Sequence, residues 1–534
     1  MGPARFPRVD LSAWRKQVEK ELAGAPFESL VTHLPGGLEI HPLYTAAPAG
    51  LTPQAMPDRC LIAPRHDVAR PGDAGSAIAD DVAGGASAVW LGFDRAARLG
   101  IEPSRATLES VGEGGVAITS RRELARAVGQ VEPSTHTLML DAGANTLPAA
   151  SLMLSHLADR GTRPSQVNLH FGLDLLGSLA RDGALPGPLE VLERELVTLA
   201  RHASAHFPRA RAVTLSLAPY HEAGAHPVQE IGFALASAAH VMRVLLADGF
   251  KPADAAGQIG FTFALGKDVF LEISKLRAAR LAFSKLLAGA GVQPDRVRAP
   301  FVHAVADLRS LTTADPWSNV LRVTSQSFAA LVGGADAFTP RTFDAALGTP
   351  DALGRRLARN TVLILTKEAG LRASRDPARG SFHLETLTVD VARAGWRVFQ
   401  SIEAQGGMVK ALESGWVQRE VEAAWQERSG AIAERREQIL GVSAFPPDHE
   451  APIERPPHRD PVVLEALAAE SEAQRKSRGA ITVDARTLGS MVAAAGVGAT
   501  IAEISSALRR GSPRPSVTPL VPRRDSTAFQ AEER

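Results

Sequence analysis

Residues 258–268, QIGFTFALGKD, decide how this chain is read. Their Gly and Lys suggest a phosphate cradle, but the spacing is wrong. Gly260 and Gly266 enclose five residues where the Walker pattern has four, and Asp268 stands in place of the metal-binding hydroxyl. The stretch reads instead as a β-strand over 259–264 running straight into a helix. Asp268 is the expected N-cap, and Val269, Ile273, Leu276, Phe283 and Leu287 mark one apolar face of VFLEISKLRAARLAFSKLL.

The same strand-then-helix unit recurs in both directions. Candidate strands lie at 87–93, 115–120, 137–142, 166–172, 212–218, 300–305 and 335–339, with helical segments such as RRELARAVGQ and LEVLERELVTLARHA between them. Eight strands with helical crossovers predict an α/β fold, a (β/α)₈ TIM barrel, with a doubly wound open sheet as the alternative. Ligand chemistry then belongs where strands end and βα loops begin. Three regions are expected: residues 1–60 as a helix (LSAWRKQVEKELAG) and a Pro/Gly-rich extended arm; 61–445 as the barrel with following helices; 446–534 as a linker, a small helical segment and a flexible or partner-bound tail.

Composition sets the outer limits. The chain has 534 residues, 45% of them hydrophobic and 22% charged, with a formal net charge of +1. Arginines outnumber lysines 50 to 9, but acids are interspersed in nearly equal number, so no basic face for nucleic acid is expected. Cys60 is the only cysteine, which excludes an internal disulfide and thiolate metal clusters. No apolar run reaches 18 residues, and the expected compartment is the cytoplasm.

Single motifs are weak. His202 and His206 share a helix face but find no third ligand at a matching spacing, so no metal site is expected. His221, in YHEAGA after the fifth strand, is placed either for general acid work or as a backbone-bonded structural residue. His303 lies inside the seventh strand and is expected to be buried. There is no nucleophile elbow, no H-E-x-x-H and no dinucleotide fingerprint.

Taken in order, WRKQVEKELAG, PLYT, YHEAGA, QEIGFALA, FLEISKLRAARLAFSKL, SLTTADPWSNVLR, TFDAALGTP, RLARNT, DPARGSF and IEAQGGM resemble the methylmalonyl-CoA mutase family over residues 10–510. The resemblance implies a barrel threaded along its axis by the pantetheine arm of CoA, with a separate flavodoxin-like domain presenting adenosylcobalamin. It also implies departures. Where active members carry Arg-Leu-Ser-Phe-Phe, this chain reads Gln258, Ile259, Gly260, Phe261, Thr262, losing the groups that contact CoA. A lost charge-assisted hydrogen bond costs about 1.5–3 kcal/mol. Val305 takes the place of a substrate-contacting Gln, and Arg341 and Ala345 those of the Asn and Glu that hold the adenosyl ribose. RHDVARPGDAG replaces the segment carrying the active-site Tyr, and the only tyrosines are Tyr44 and Tyr220. His221 matches the family's catalytic His as a vestigial residue. No histidine follows His458, so the cobalt-ligating D-x-H-x-x-G and the cobalamin-binding domain are not expected.

The resemblance therefore implies the small, non-catalytic subunit of a heterodimeric mutase, which interconverts methylmalonyl-CoA and succinyl-CoA. Acyl-CoA and adenosylcobalamin would sit on a large catalytic partner. Two alternatives stand beside it: an active barrel of the isobutyryl-CoA type completed by a separate cobalamin-binding chain, and a pseudoenzyme serving as a binding or chaperone module.

Overall fold

The computed structural model describes residues 9–49, 56–106, 110–293, 296–371, 373–449, 451–458, 460–509 and 515–530. The beginning of the expected arm, its 50–55 segment and parts of the expected linker and tail lie outside the described residues.

A parallel sheet organises the chain. Its strands are β1 (Leu61–Ile62 and Arg65–His66), β2 (Ala88–Gly92), β3 (Thr137–Asp141), β4 (Leu169–Leu173), β5 (Arg211–Ser216), β6 (Ile259–Leu265), β7 (Phe301–Ala306) and β8 (Ala337–Thr339). The two parts of β1 are separated only by Ala63 and Pro64. The first pairs with β8 and the second with β2. Ala63 N–H donates to Phe338 O at 2.9 Å, and Trp90 N–H donates to Pro64 O at 3.1 Å, so the ladder closes through a strand that changes partner at its proline. The nine ladder segments are thus eight strands of a closed barrel, the architecture the sequence predicts.

One expected strand is replaced by another. Residues 115–120 form only an isolated bridge, Val116 to Phe93, while 61–66 supplies the eighth strand. Val116 and Ile118 are fully buried, so their apolar alternation reports burial beneath a loop rather than membership of the sheet.

The helices outside the barrel follow from the strand ends: α1 (Pro71–Ala83), α2 (Arg121–Val128), α3 (Thr146–Asp159), α4 (Leu189–His206), α5 (Pro227–Ala247), α6 (Val269–Gly289), α7 (Ser318–Val332) and α8 (Ala352–Leu363). Asp268 caps α6 as expected, its carboxylate accepting from Leu271 N–H at 3.1 Å. Helix α5 is apolar nearly all round, because α6 and a further helix, α9 (Phe382–Ala404), cover it outside the barrel. Among the described residues it is the one helix long and apolar enough to cross a membrane, and 72% of that apolar window is buried within the fold.

Two peripheral segments differ from expectation. The arm is not extended throughout: Thr32–Leu34 and Leu38–Ile40 form an antiparallel hairpin that lies against Val228 at the start of α5. The tail is not loose over 515–530. It packs on the barrel, together with α10 (Trp416–Ala433). Helix α11 (Pro461–Arg478) lies against the loops that follow β1 and β2.

Gly172 is the tightest point of the sheet. Its φ is +75°, and a Cβ there would sit 1.8 Å from Leu140 O. Gly172→Ala is expected to destabilise the chain by more than about 2 kcal/mol, read as a lowered urea midpoint.

Candidate functional site

At the C-terminal rim, the loops after β5, β6 and β7 bring together a chain of charged groups. His221, on the short helix Ala218–Ala223, has 0% exposure and both ring nitrogens engaged. Nδ1 lies 2.8 Å from Glu230 Oε1 and Nε2 lies 3.1 Å from Asp307 Oδ2. Glu230, one turn into α5, also accepts from Lys275 Nζ at 3.2 Å. Lys275 reaches Glu272 at 2.6 Å and donates to Ala264 O at 2.5 Å. Glu272 turns back to accept Gly266 N–H at 3.0 Å.

Electrostatics fixes the charge states. Burial alone would lower the His221 pKa, but Glu230 and Asp307 outweigh it and raise the group above its ordinary value. Burial would raise Asp307, yet the hydrogen bond and charge of His221 hold it down at about 2. The imidazolium is a clamp between two carboxylates, with no nitrogen left for a ligand. Sequence reasoning placed His221 at this rim, but not Glu230, Asp307 and Lys275 around it. The signal lay in the motifs YHEAGA, QEIGFALA and FLEISKL, whose acids and lysine had no spacing in common.

The barrel axis is filled. Leu61, Ala63, Ala88, Trp90, Met139, Val305 and Ala337 make one inward-facing cluster, with Phe301 packed against it. Two ring contacts span the interior between strands that are not neighbours. His170 on β4 meets Phe301 on β7 at 4.0 Å between centroids, and Trp90 on β2 meets His303 on β7 edge-on at 4.8 Å. Arg65 lies over the Trp90 ring at 4.2 Å. Thr339 donates its hydroxyl proton to Ala63 O at 2.5 Å, so it accepts from His303 Nε2 at 2.8 Å. His303 Nδ1 is left to accept from Thr262 Oγ1 at 3.2 Å. That neutral tautomer agrees with burial, which pushes the His303 pKa down to about 3, helped by Arg65. The cavity remaining at the mouth, between Trp90, Thr214, Thr262 and Arg181, is about 20 Å³, room for one water.

Above this plug the rim is laced by ion pairs. Arg65 meets Asp141 at 2.9 Å, Arg181 meets Asp141 at 3.3 Å, and Arg98 meets Asp182 at 2.8 Å. The tail then crosses the rim from the β4 loop toward the β7 loop. Leu520 N–H donates to Ala180 O at 2.8 Å, Arg523 N–H to Glu222 O at 2.7 Å, and Asp525 N–H to Arg309 O at 2.9 Å. Asp525 is 4% exposed and takes Arg428 bidentately at 2.7 and 3.0 Å.

The family model and the similar sequences agree on one family. The model for methylmalonyl-CoA mutase matches residues 61–514. The chain is 36% identical to the methylmalonyl-CoA mutase small subunit of Streptomyces virginiae, over 85% of this chain and 73% of that one. The small subunit of Propionibacterium freudenreichii subsp. shermanii is also 36% identical, over 60% of this chain and 51% of its own length. The methylmalonyl-CoA mutase of Escherichia coli K12 is 28% identical over 93% of this chain and 75% of that protein. The chain belongs to the methylmalonyl-CoA mutase family. The family is one of isomerases that act by intramolecular transfer and generally depend on adenosylcobalamin.

The positions singled out for this mutase-family barrel fall in three places. Gln258 is at the N-terminal base of β6, where its Oε1 accepts Ala212 N–H at 3.1 Å and its amide donates to Ser204 at 3.0 Å. Gly260, Thr262 and Val305 face the filled axis. A Cβ at Gly260 would meet Phe301 O at 3.1 Å, Thr262 is bonded to His303, and Val305 belongs to the apolar cluster. Arg341 and Ala345 are at the opposite end, after β8. Arg341 donates to Ala306 O at 3.3 Å, and Ala345 O meets His458 at 3.2 Å. The structure does not bring these positions to one cleft, and neither Arg341 nor Ala345 presents the ribose-binding carboxylate and amide expected of an adenosyl site. Among the described residues no group of three or more His, Cys, Asp or Glu could hold a metal ion, and His202 and His206 simply pack ring against ring at 4.7 Å. The residues missed by sequence reasoning are Trp90, Met139, His170 and Phe301. On strands buried on both faces, periodicity does not say which side chains point inward.

The plug carries a pH signature. A histidine whose folded pKa is depressed adds stability above its unfolded value near 6.5, and loses it as the pH falls toward the folded value. For His303, lowered to about 3, the loss from pH 7 to pH 5 is on the order of 2 kcal/mol. Asp94 and Asp174, raised to about 6 by burial, act in the opposite direction over the same range. The test is therefore a difference. Between pH 7 and pH 5 the wild-type chain is expected to lose about 2 kcal/mol relative to His303→Gln, whose amide fits the same two threonines, in urea titrations at each pH.

Proposed function

We propose that this chain is the small, non-catalytic subunit of a heterodimeric methylmalonyl-CoA mutase. Its large partner binds acyl-CoA and adenosylcobalamin and interconverts methylmalonyl-CoA and succinyl-CoA. The observation that carries this reading is the pair of ring contacts across the barrel axis, His170 to Phe301 and Trp90 to His303. A pantetheine arm threaded along that axis would have to displace all four rings. Burying one aromatic side chain is worth about 1.5–3 kcal/mol, so opening the channel costs several such terms before any ligand contact is made.

Three further features support it. Gln258, Gly260 and Val305 offer no charge or directed donor to CoA, and the first is already satisfied by Ser204 and the β5 backbone. His221, the vestigial catalytic residue on this reading, is held by Glu230 and Asp307 with no nitrogen to spare. The tail passes over the rim where a cofactor-bearing domain would approach, with Asp525 locked to Arg428. Residues at this mouth do not fit adenosylcobalamin, and no step of the reaction is assigned to them. Residues 1–60, 61–445 and 446–534 then serve as arm, barrel with its following helices, and covering segments. In the arm, the helix Leu11–Glu21 buries no residue against the chain and leaves Leu11 55% exposed, an unpaired face suited to the large subunit. The names of the relatives, "small subunit", favour such a partner over a chaperone module or an isobutyryl-CoA-type active barrel.

The full chain alone, supplied with adenosylcobalamin and methylmalonyl-CoA, is expected to give no succinyl-CoA above background. Co-purification with a full-length mutase subunit should restore turnover. Substantial turnover by the chain alone, or activity reconstituted by a small cobalamin-binding protein, rejects the reading.

A further inference from the structure

On the outside of the rim, the start of α7 meets the loop 438–447 in a surface with almost no charge. The loop reads QILGVSAFPP and has no charged residue. Helix α7, SNVLRVTSQSFAALV, has one, Arg322, in a chain that is 22% charged. That guanidinium is engaged at the join, donating to Asn319 Oδ1 at 2.7 Å and to Leu440 O at 2.7 Å. Gly441 lies directly against Asp315, two residues before Trp317, so the loop is pinned on both sides of the first helical turn.

What this surface shows to solvent is apolar. Trp317 is 49% exposed, Leu321 one turn later 70%, Leu440 57% and Phe445 82%. Trp317 is fixed by stacking on Phe343, with centroids 4.4 Å apart and planes 14° from parallel. Phe445 has a φ of +50°, a left-handed backbone that an aromatic residue rarely adopts, so the chain accepts strain and exposure together at this ring. For side chains of about 150–250 Å² each, these fractions amount to on the order of 500 Å² of apolar surface. A standard interface takes about 800 Å² from each partner, a little over half of it apolar, with a core poor in charge and rich in aromatic residues and Arg. The face matches that demand in area and in composition, whereas scattered single apolar residues would not.

We infer that this face docks the large mutase subunit, against an uncharged, apolar surface of that partner that seats the Trp317 and Phe445 rings. The inference rests on the reading of this chain as a small mutase subunit, the name its relatives bear, which calls for an unlike partner rather than a second copy. Trp317 is the anchor, because Phe343 already orders it and little side-chain freedom is left to lose on binding.

The test uses the full chain and the adenosylcobalamin-binding mutase subunit of the same organism, both purified. Binding is followed by biolayer interferometry, and the chain alone by sedimentation velocity. Leu321→Glu and Phe445→Asn are each expected to weaken binding by about tenfold or more. Asn suits a left-handed backbone, so Phe445→Asn should leave the thermal midpoint of the chain unchanged or raised, which separates docking from a structural role. Wild type and the double variant binding equally tightly overturns the inference and leaves the mutase-subunit reading standing. No binding by the wild-type chain rejects that reading and the inference with it. The chain alone is expected to sediment as a monomer; a dimer that both variants dissociate assigns the face to a second copy and overturns the inference.

Discussion

Everything above the base of this barrel depends on what fills its axis. A closed eight-stranded barrel has an interior just wide enough to be packed by side chains, and packing it is the default state of the fold. Here Trp90, Met139, His170, Phe301 and His303 do the packing, and the two imidazoles are the unusual choice. A buried imidazole is tolerable only when both nitrogens are satisfied or the ring stays neutral. His303 meets both conditions through Thr262 and Thr339, and Thr339 in turn ties β8 to the kinked β1 through Ala63 O. The plug and the closure of the sheet are therefore one hydrogen-bonded structure. A sequence that opened the axis for a ligand would also have to find new partners for Thr339 and Thr262.

This coupling explains what was legible from sequence and what was not. The alternation of β-rich runs with long helices gave the barrel, and Asp268 was correctly read as a cap, because both signals are local. The first strand was missed because LIAPRH is short, contains Pro64 and ends in charge. All three features argue against a strand until the ladder is seen changing partner at the proline. Residues 115–120 read as a strand because Val116 and Ile118 alternate, and burial under a loop writes the same pattern as burial in a sheet. The packing of the tail is not legible for a related reason. Its Pro- and Arg-rich text carries no periodicity, and the groups that fix it, Arg428, Arg309 and the Glu222 backbone, are far away in sequence.

The candidate site was only partly legible. The degenerate positions follow from the family resemblance, residue by residue, but the resemblance says what is missing and not what replaces it. Gln258, where the resemblance leads one to expect an arginine, is a crosslink between β5 and the α4 residue Ser204. At Gly260, where it leads one to expect a serine, the space beside the backbone is taken up by Phe301. At both positions the contacts run to the scaffold, which can be read only once the neighbours across the barrel are known.

The buried ion chain His221–Glu230–Lys275–Glu272, with Asp307 on its other side, shows why so much family-like text survives around a filled axis. The stretches YHEAGA, QEIGFALA and FLEISKL, together with HAVADL, each contribute one or more of its members. Once such a cluster is built into the core, deleting Lys275 strands the Glu272 carboxylate and deleting His221 strands that of Asp307, at a cost of about 3–5 kcal/mol. That cost falls on folding, whether or not the barrel turns over a substrate. The cluster joins the β5, β6 and β7 loops at the rim, so it holds the scaffold that any partner subunit would meet. The motifs around His221 thus answer to the electrostatics of the core, and the two carboxylates that engage both of its ring nitrogens also tie it into the fold.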